Sequence, residues 1–144
     1  MRRYKLHKFE NQLTGMAGEY LTVGKLFKKG LQAAVTSGNA KAIDILAYNQ
    51  LNNKNYNVQV KTVRKKNCFL LQEKNINPEH IFIFVILNEF ENNEEYYIIK
   101  GSEILENVNK FFGSTYKSEN PSKMSGILYG PLKEYKDNWK LFDE

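Results

Sequence analysis

Seven consecutive apolar residues, Ile81-Phe82-Ile83-Phe84-Val85-Ile86-Leu87, set the tightest limit on how this chain can fold. A strand that alternates apolar and polar side chains can leave one face in water, whereas an unbroken apolar run needs cover on both faces. Spanning a bilayer takes about 20 apolar residues in a helix, so this run belongs inside a layered protein fold. Its surroundings agree. Glu89 to Glu95 is a polar turn, and Tyr96-Tyr97-Ile98-Ile99-Lys100 is the next strand, hairpinned to the apolar one. Gly101-Ser102 then opens a helix in which Ile104, Leu105, Val108 and Phe111 or Phe112 recur at helical spacing, with Glu103 near its N-terminus. An earlier helix carries an apolar stripe of Leu13, Met16, Ala17, Tyr20, Gly24 and Phe27. The expected class is α/β (α+β), a mixed sheet flanked by helices.

Two further β-prone segments contain polar groups that need a reason. In Ala42-Ile43-Asp44-Ile45-Leu46-Ala47, the side chains of Ala42, Asp44 and Leu46 share one face; in Val58-Gln59-Val60-Lys61-Thr62-Val63, those of Gln59, Lys61 and Val63 do. Burying a carboxylate or an amine is costly unless it is paired or used. The intervening Asn49-Gln50-Leu51-Asn52-Asn53-Lys54-Asn55-Tyr56-Asn57 is rich in asparagines, which favour turns and tolerate left-handed backbone. The segments are therefore expected to be antiparallel neighbours, with Asp44 opposite or one step diagonal to Gln59, within about 5 to 8 Å. Lys61 shares that face. A carboxylate and an amide oxygen are hard ligands of the kind Mg2+ takes while keeping several waters, and an amine beside them suits metal-assisted phosphodiester hydrolysis. Each residue also has an ordinary role open to it: Glu19 as a helix-flank glutamate, Asp44 as a carboxylate satisfied by a loop amide, Gln59 and Lys61 as the wet face of a strand.

In order, Glu19 on a helix, Ser37-Gly38-Asn39, Asp44 in a strand and Gln59-x-Lys61 in the next resemble the PD-(D/E)XK nuclease superfamily. Within it the pattern is most similar to the archaeal Holliday-junction resolvases and the small homing and restriction endonucleases. The resemblance implies a restriction endonuclease-like core with a central mixed five-stranded sheet. It also implies that Glu19, Asp44, Gln59 and Lys61 are catalytic, that Glu19, Asp44, Gln59 and the backbone carbonyl of Val60 hold Mg2+, with Mn2+ as a substitute, and that Lys61 assists the attacking water. Ser37, Asn39, Lys41 and Thr62 are expected near the phosphate, and the protein is expected to act on DNA, RNA remaining open, as a homodimer. Two positions depart from the pattern. Ile43 stands where the family name has proline, and Gln59 stands where it has Asp or Glu, so one negative charge is missing from the metal site. The usual helix between the third and fourth strands is not evident, because residues 64 to 80 are short, polar and interrupted by Pro78.

Charge is unevenly divided. Residues 1 to 74 carry a net +10 and residues 75 to 144 a net −5, within an overall +5. Arg2 and Arg3, Lys28 and Lys29, and Arg64, Lys65 and Lys66 are the expected nucleic-acid contacts, the last three directly after the proposed catalytic strand. Cys68 is the single cysteine, and with His7 and His80 it shows no zinc-ligand spacing. No apolar signal stretch follows the basic N-terminus, so a cytoplasmic protein without a membrane partner is expected. The chain is expected to form one domain over residues 1 to 144, with its core about 13 to 112 and an aromatic extension, 113 to 144, in which Leu132, Tyr135 and Trp139 mark a terminal helix docked on the sheet. Metal-dependent endonuclease is the first functional reading. A catalytically weak nuclease-fold nucleic-acid binder and a protein-interaction module with a basic face are the alternatives.

Overall fold

The apolar run becomes a central strand covered on both faces. The computed structural model describes residues 2–37, 43–119 and 125–144, with side chains from Lys8 onward. Its five-stranded sheet has the order β1 (Gln32–Val35), β2 (Ile45–Asn49), β3 (Lys54–Val63), β5 (Ile81–Ile86) and β6 (Glu95–Lys100). Strands β1 and β2, β2 and β3, and β5 and β6 pair antiparallel, whereas β3 and β5 pair parallel, so the sheet is mixed as expected. Every residue of β5 is buried. Ile81, Ile83 and Val85 join Ile45, Val58, Val60 and Ile98 in one apolar cluster, and Phe82, Phe84 and Ile86 join Tyr97, Ile99, Ile104 and Phe111 in a second on the opposite face. Period-two alternation thus feeds two cores from one run.

The turn between β2 and β3 uses its asparagines as anticipated. Asn53 is left-handed at φ 57°, and Asn49 Nδ2 donates 2.7 Å to the carbonyl of Phe142, tying the hairpin to the C-terminal segment. The parallel connection from β3 to β5 contains only the two-residue β4 (Phe69–Leu70) and a 3-10 turn at Glu73–Asn75, in agreement with the missing helix. β4 pairs with β7 (Gly126–Ile127) as a separate two-stranded sheet, rather than extending the main one.

Two helices differ from expectation. The helix after Gly101 is split into α2 (Gly101–Glu106) and α3 (Val108–Phe112). Asn107 lies between them, and its side chain donates 3.0 Å to the carbonyl of Glu103, a local bond that competes with helix continuation. The C-terminal segment is not one helix but α4 (Tyr129–Leu132) followed by 3-10 turns at Lys133–Tyr135 and Trp139–Asp143. Asp137, left-handed at φ 53°, turns the chain there, and its N–H donates 2.8 Å to the carbonyl of Tyr96. Trp139 still packs on the sheet, its ring 5.4 Å from that of Tyr96.

Helix α1 (Arg2–Lys29) turns the bulky members of its apolar stripe away from the sheet. Leu13, Met16, Tyr20 and Phe27 are 42, 52, 59 and 56% exposed. The buried line is Thr14, Gly18, Thr22 and Leu26, with Ala17, Leu21 and Val23 packed beside it. Small side chains let the helix axis approach β3 closely. At Gly18 a Cβ would come within 1.8 Å of Thr62 Oγ1. Gly18→Ala is expected to push α1 off β3 and cost about 1 to 3 kcal/mol of stability, the usual penalty for overpacking. An unchanged urea midpoint would show that this approach is not required.

Candidate active site

Strand β3 has ten residues and β2 only five, and their register pairs Ile45 with Val58 through to Asn49 with Lys54. Among the described residues the β2 ladder ends at Val58 while β3 runs on to Val63, and the candidate site lies at this fork. Asp44 stands at the branch point, opposite Gln59 if the register is continued. Its N–H donates 2.9 Å to the carbonyl of Val58, and the N–H of Val60 donates 2.7 Å to Asp44 Oδ2. The carboxylate therefore takes the place that a β2 carbonyl would fill in a longer ladder. Because N–H and C=O of an extended residue point to the same edge, the Val60 carbonyl lies on the Asp44 side.

Glu19 comes to this point from α1, one residue after the glycine that allows the close approach. Partial burial raises its pKa above the usual carboxylate range, the nearby Asp44 charge raises it further, and Lys61 offsets part of the rise. Three of the four expected catalytic side chains thus share one electrostatic neighbourhood. Gln59 is the fourth, 3% exposed, with Nε2 2.9 Å from His80 Nδ1. An amide nitrogen can only donate, so in this arrangement the ring nitrogen accepts. Burial lowers the His80 pKa, against a smaller opposing effect of Glu79, and so favours the neutral ring that can accept.

Among the described residues, no three His, Cys, Asp or Glu side chains form a metal-binding group. A divalent ion here would draw on the carboxylates of Glu19 and Asp44 and on neutral oxygens, the Gln59 amide and the Val60 carbonyl. That set suits a hard cation that keeps waters. The raised Glu19 pKa also marks mutual repulsion of two carboxylates, which a divalent ion relieves.

Beside the fork an open cavity of about 660 Å³ runs between the N-terminal half of α1 and the end of β3. Lys61, Thr62, Arg64, Lys65 and Lys66 all line it. Thr14 of α1 accepts a bond from Arg64 Nε at 2.9 Å, fixing that guanidinium at the rim. Lys65 meets Glu89 at 3.5 Å with both side chains largely exposed, and Lys66 lies 5.1 Å from the Tyr129 ring centroid. Ser37 is exposed just before the segment that holds Asn39 and Lys41, both of which lie outside the described residues, as do the side chains of Arg2 and Arg3. Lys28 and Lys29 are not brought to the fork. They sit nine and ten residues beyond Glu19, about 14 Å along a helix, and Lys29 pairs with Asp143 at 3.1 Å. Sequence reasoning passed over Thr14 and His80 as site residues. His80 had a usable signal: it precedes the apolar strand in phase with Phe82, the residue registered with Gln59.

No family model matches the chain, and no curated protein matches its sequence. Its fold is nevertheless shared with a solved structure. The bacterial homing endonuclease I-Ssp6803I superposes with a TM-score of 0.53 over 90% of each chain, at 11% sequence identity. At that identity the likeness is one of fold, a mixed α/β arrangement that a nuclease uses.

The native fold disfavours ionised Glu19, so its carboxylate destabilises the metal-free protein at neutral pH. The penalty fades as pH falls into the range where the group is protonated in folded and unfolded states alike. Glu19→Gln is expected to raise the metal-free melting temperature at pH 7, with a gain that shrinks toward pH 4. A lower melting temperature at pH 7 would show that Glu19 is not under strain.

Proposed function

We propose that the protein is a Mg2+-dependent endonuclease that hydrolyses phosphodiester bonds in DNA, branched DNA included, and that it works as a cytoplasmic homodimer. The observation that carries this reading is the shared neighbourhood of Glu19, Asp44 and Lys61 at the open edge of β3, next to a cavity lined by lysines and an arginine. The likeness of fold to a homing endonuclease supports it.

In this reading Asp44 and Glu19 hold the ion from opposite elements, with the Val60 carbonyl and the Gln59 amide oxygen completing the protein's share. The chemistry supplied by such an ion is polarisation of the phosphate and acidification of water. Lys61 orients the attacking water and offsets charge that builds on the phosphate. Arg64, Lys65 and Lys66 hold the neighbouring phosphates along the cavity, and Thr14 keeps Arg64 aimed there. Thr62 lies against α1 at Gly18, so its contribution is to seat the helix that carries Glu19.

A second reading, a nuclease-fold nucleic-acid binder of little activity, is favoured by one feature. Gln59 brings no charge and commits its amide nitrogen to His80. Supercoiled plasmid and branched DNA, incubated with Mg2+ or Mn2+ and with chelator, separate the two. The nuclease reading expects metal-dependent nicking that Lys61→Ala reduces by 10² or more, the scale of an electrostatic catalytic group. Salt-sensitive binding without cleavage, indifferent to metal and to Lys61→Ala, would establish the second reading instead.

A further inference from the structure

The exposed face of α1 is an unusual surface for a protein in water. Phe9, Leu13, Met16, Tyr20 and Phe27 are 57, 42, 52, 59 and 56% exposed. They fall at i, i+4, i+7, i+11 and i+18, within about 60° of one another around a helix of 3.6 residues per turn. This line lies on the side of α1 opposite the buried Thr14, Gly18 and Leu26. Isolated exposed apolar residues need no explanation, but a continuous line of them marks an interaction site.

We propose that this stripe is the surface through which two copies of the chain associate, α1 against α1. Steps of four, three, four and seven residues keep the heptad spacing of a seam whose natural occupant is another helix with the same spacing. Within the described chain only α1 can supply one, because the other α-helices have six residues or fewer. The same patch on two copies, related by a two-fold axis, then covers itself. The area is adequate for a core. Aromatic side chains bury 150–250 Å² each, so these half-exposed residues offer roughly 500 Å² per copy, against the ≈ 800 Å² per partner of a standard interface, whose rim is polar.

Gly24 sits on the exposed side, next to the stripe, so no side chain projects from that turn against a second helix.

The surface identifies the partner contact of the homodimer in the preceding reading and rests on that reading only for the presence of two copies. Sedimentation equilibrium of the full chain, without DNA or metal, is expected to give twice the chain mass at high concentration. Met16→Glu combined with Tyr20→Glu should halve that mass while leaving the circular dichroism and melting of the folded chain intact. Phe27→Glu, further along the stripe, should weaken association at least tenfold. A monomer at all concentrations, a dimer that survives both variants, or a monomer that instead floats with anionic lipid vesicles would overturn the proposal. Since mass is read without cleavage, an inactive dimer would count against the nuclease reading alone, and an active monomer against the interface alone.

Discussion

A ten-residue strand beside a five-residue one leaves half of its edge without a strand neighbour among the described residues, and much of the structure follows from how that edge is treated. Backbone N–H groups on it still need acceptors. At Val60 the acceptor is the Asp44 carboxylate, so a hydrogen bond that would otherwise complete a ladder instead fixes an acidic side chain. The end of β2 at Ile45 is therefore where the Asp44 side chain meets the β3 backbone.

The same edge explains the unusual shape of α1. The helix must come close to β3 for Glu19 to reach Asp44, and close approach requires small residues on the buried line. Thr14, Gly18 and Thr22 meet that need. Thr14 also holds Arg64 at the cavity rim, so one helix face combines packing with the placement of charge. Its bulky apolar residues are displaced to the outer side. A glutamate brought to the edge of β3 on one face and an exposed apolar stripe on the other are two consequences of one packing distance.

Much of this could be read in advance where the signal was periodic and local. Ile81 to Leu87 specified a strand covered on both faces because unbroken apolarity leaves no side for water. The asparagine-rich turn and the alternation of Asp44, Gln59 and Lys61 gave the hairpin and its approximate register. Failures arose where the direction of a face mattered. The apolar stripe of α1 is legible as a stripe, but spacing does not say which face meets the sheet, and a Gly-Thr line packs closer than a Phe-Tyr line. The helices expected after Gly101 and around Trp139 were interrupted by Asn107 and Asp137, single residues whose local bonds overrode apolar spacing that continued through them.

The sequence by itself determined which side chains are candidates for the site: a helix glutamate, an aspartate at the start of a strand and a glutamine-lysine pair. It also determined the mixed α/β class, because strand and helix periods are written into neighbouring side chains. Only the tertiary structure decided that Gln59 is bonded to His80, that Arg64 leans on Thr14, that Lys29 is occupied by Asp143 and that the apolar face of α1 points outward. Each of these joins residues 20 or more positions apart, or turns on which of two faces wins the sheet. Their partners are set by the parallel register of β3 with β5 and by the distance of α1 from the sheet, and neither quantity is encoded in any single stretch of chain.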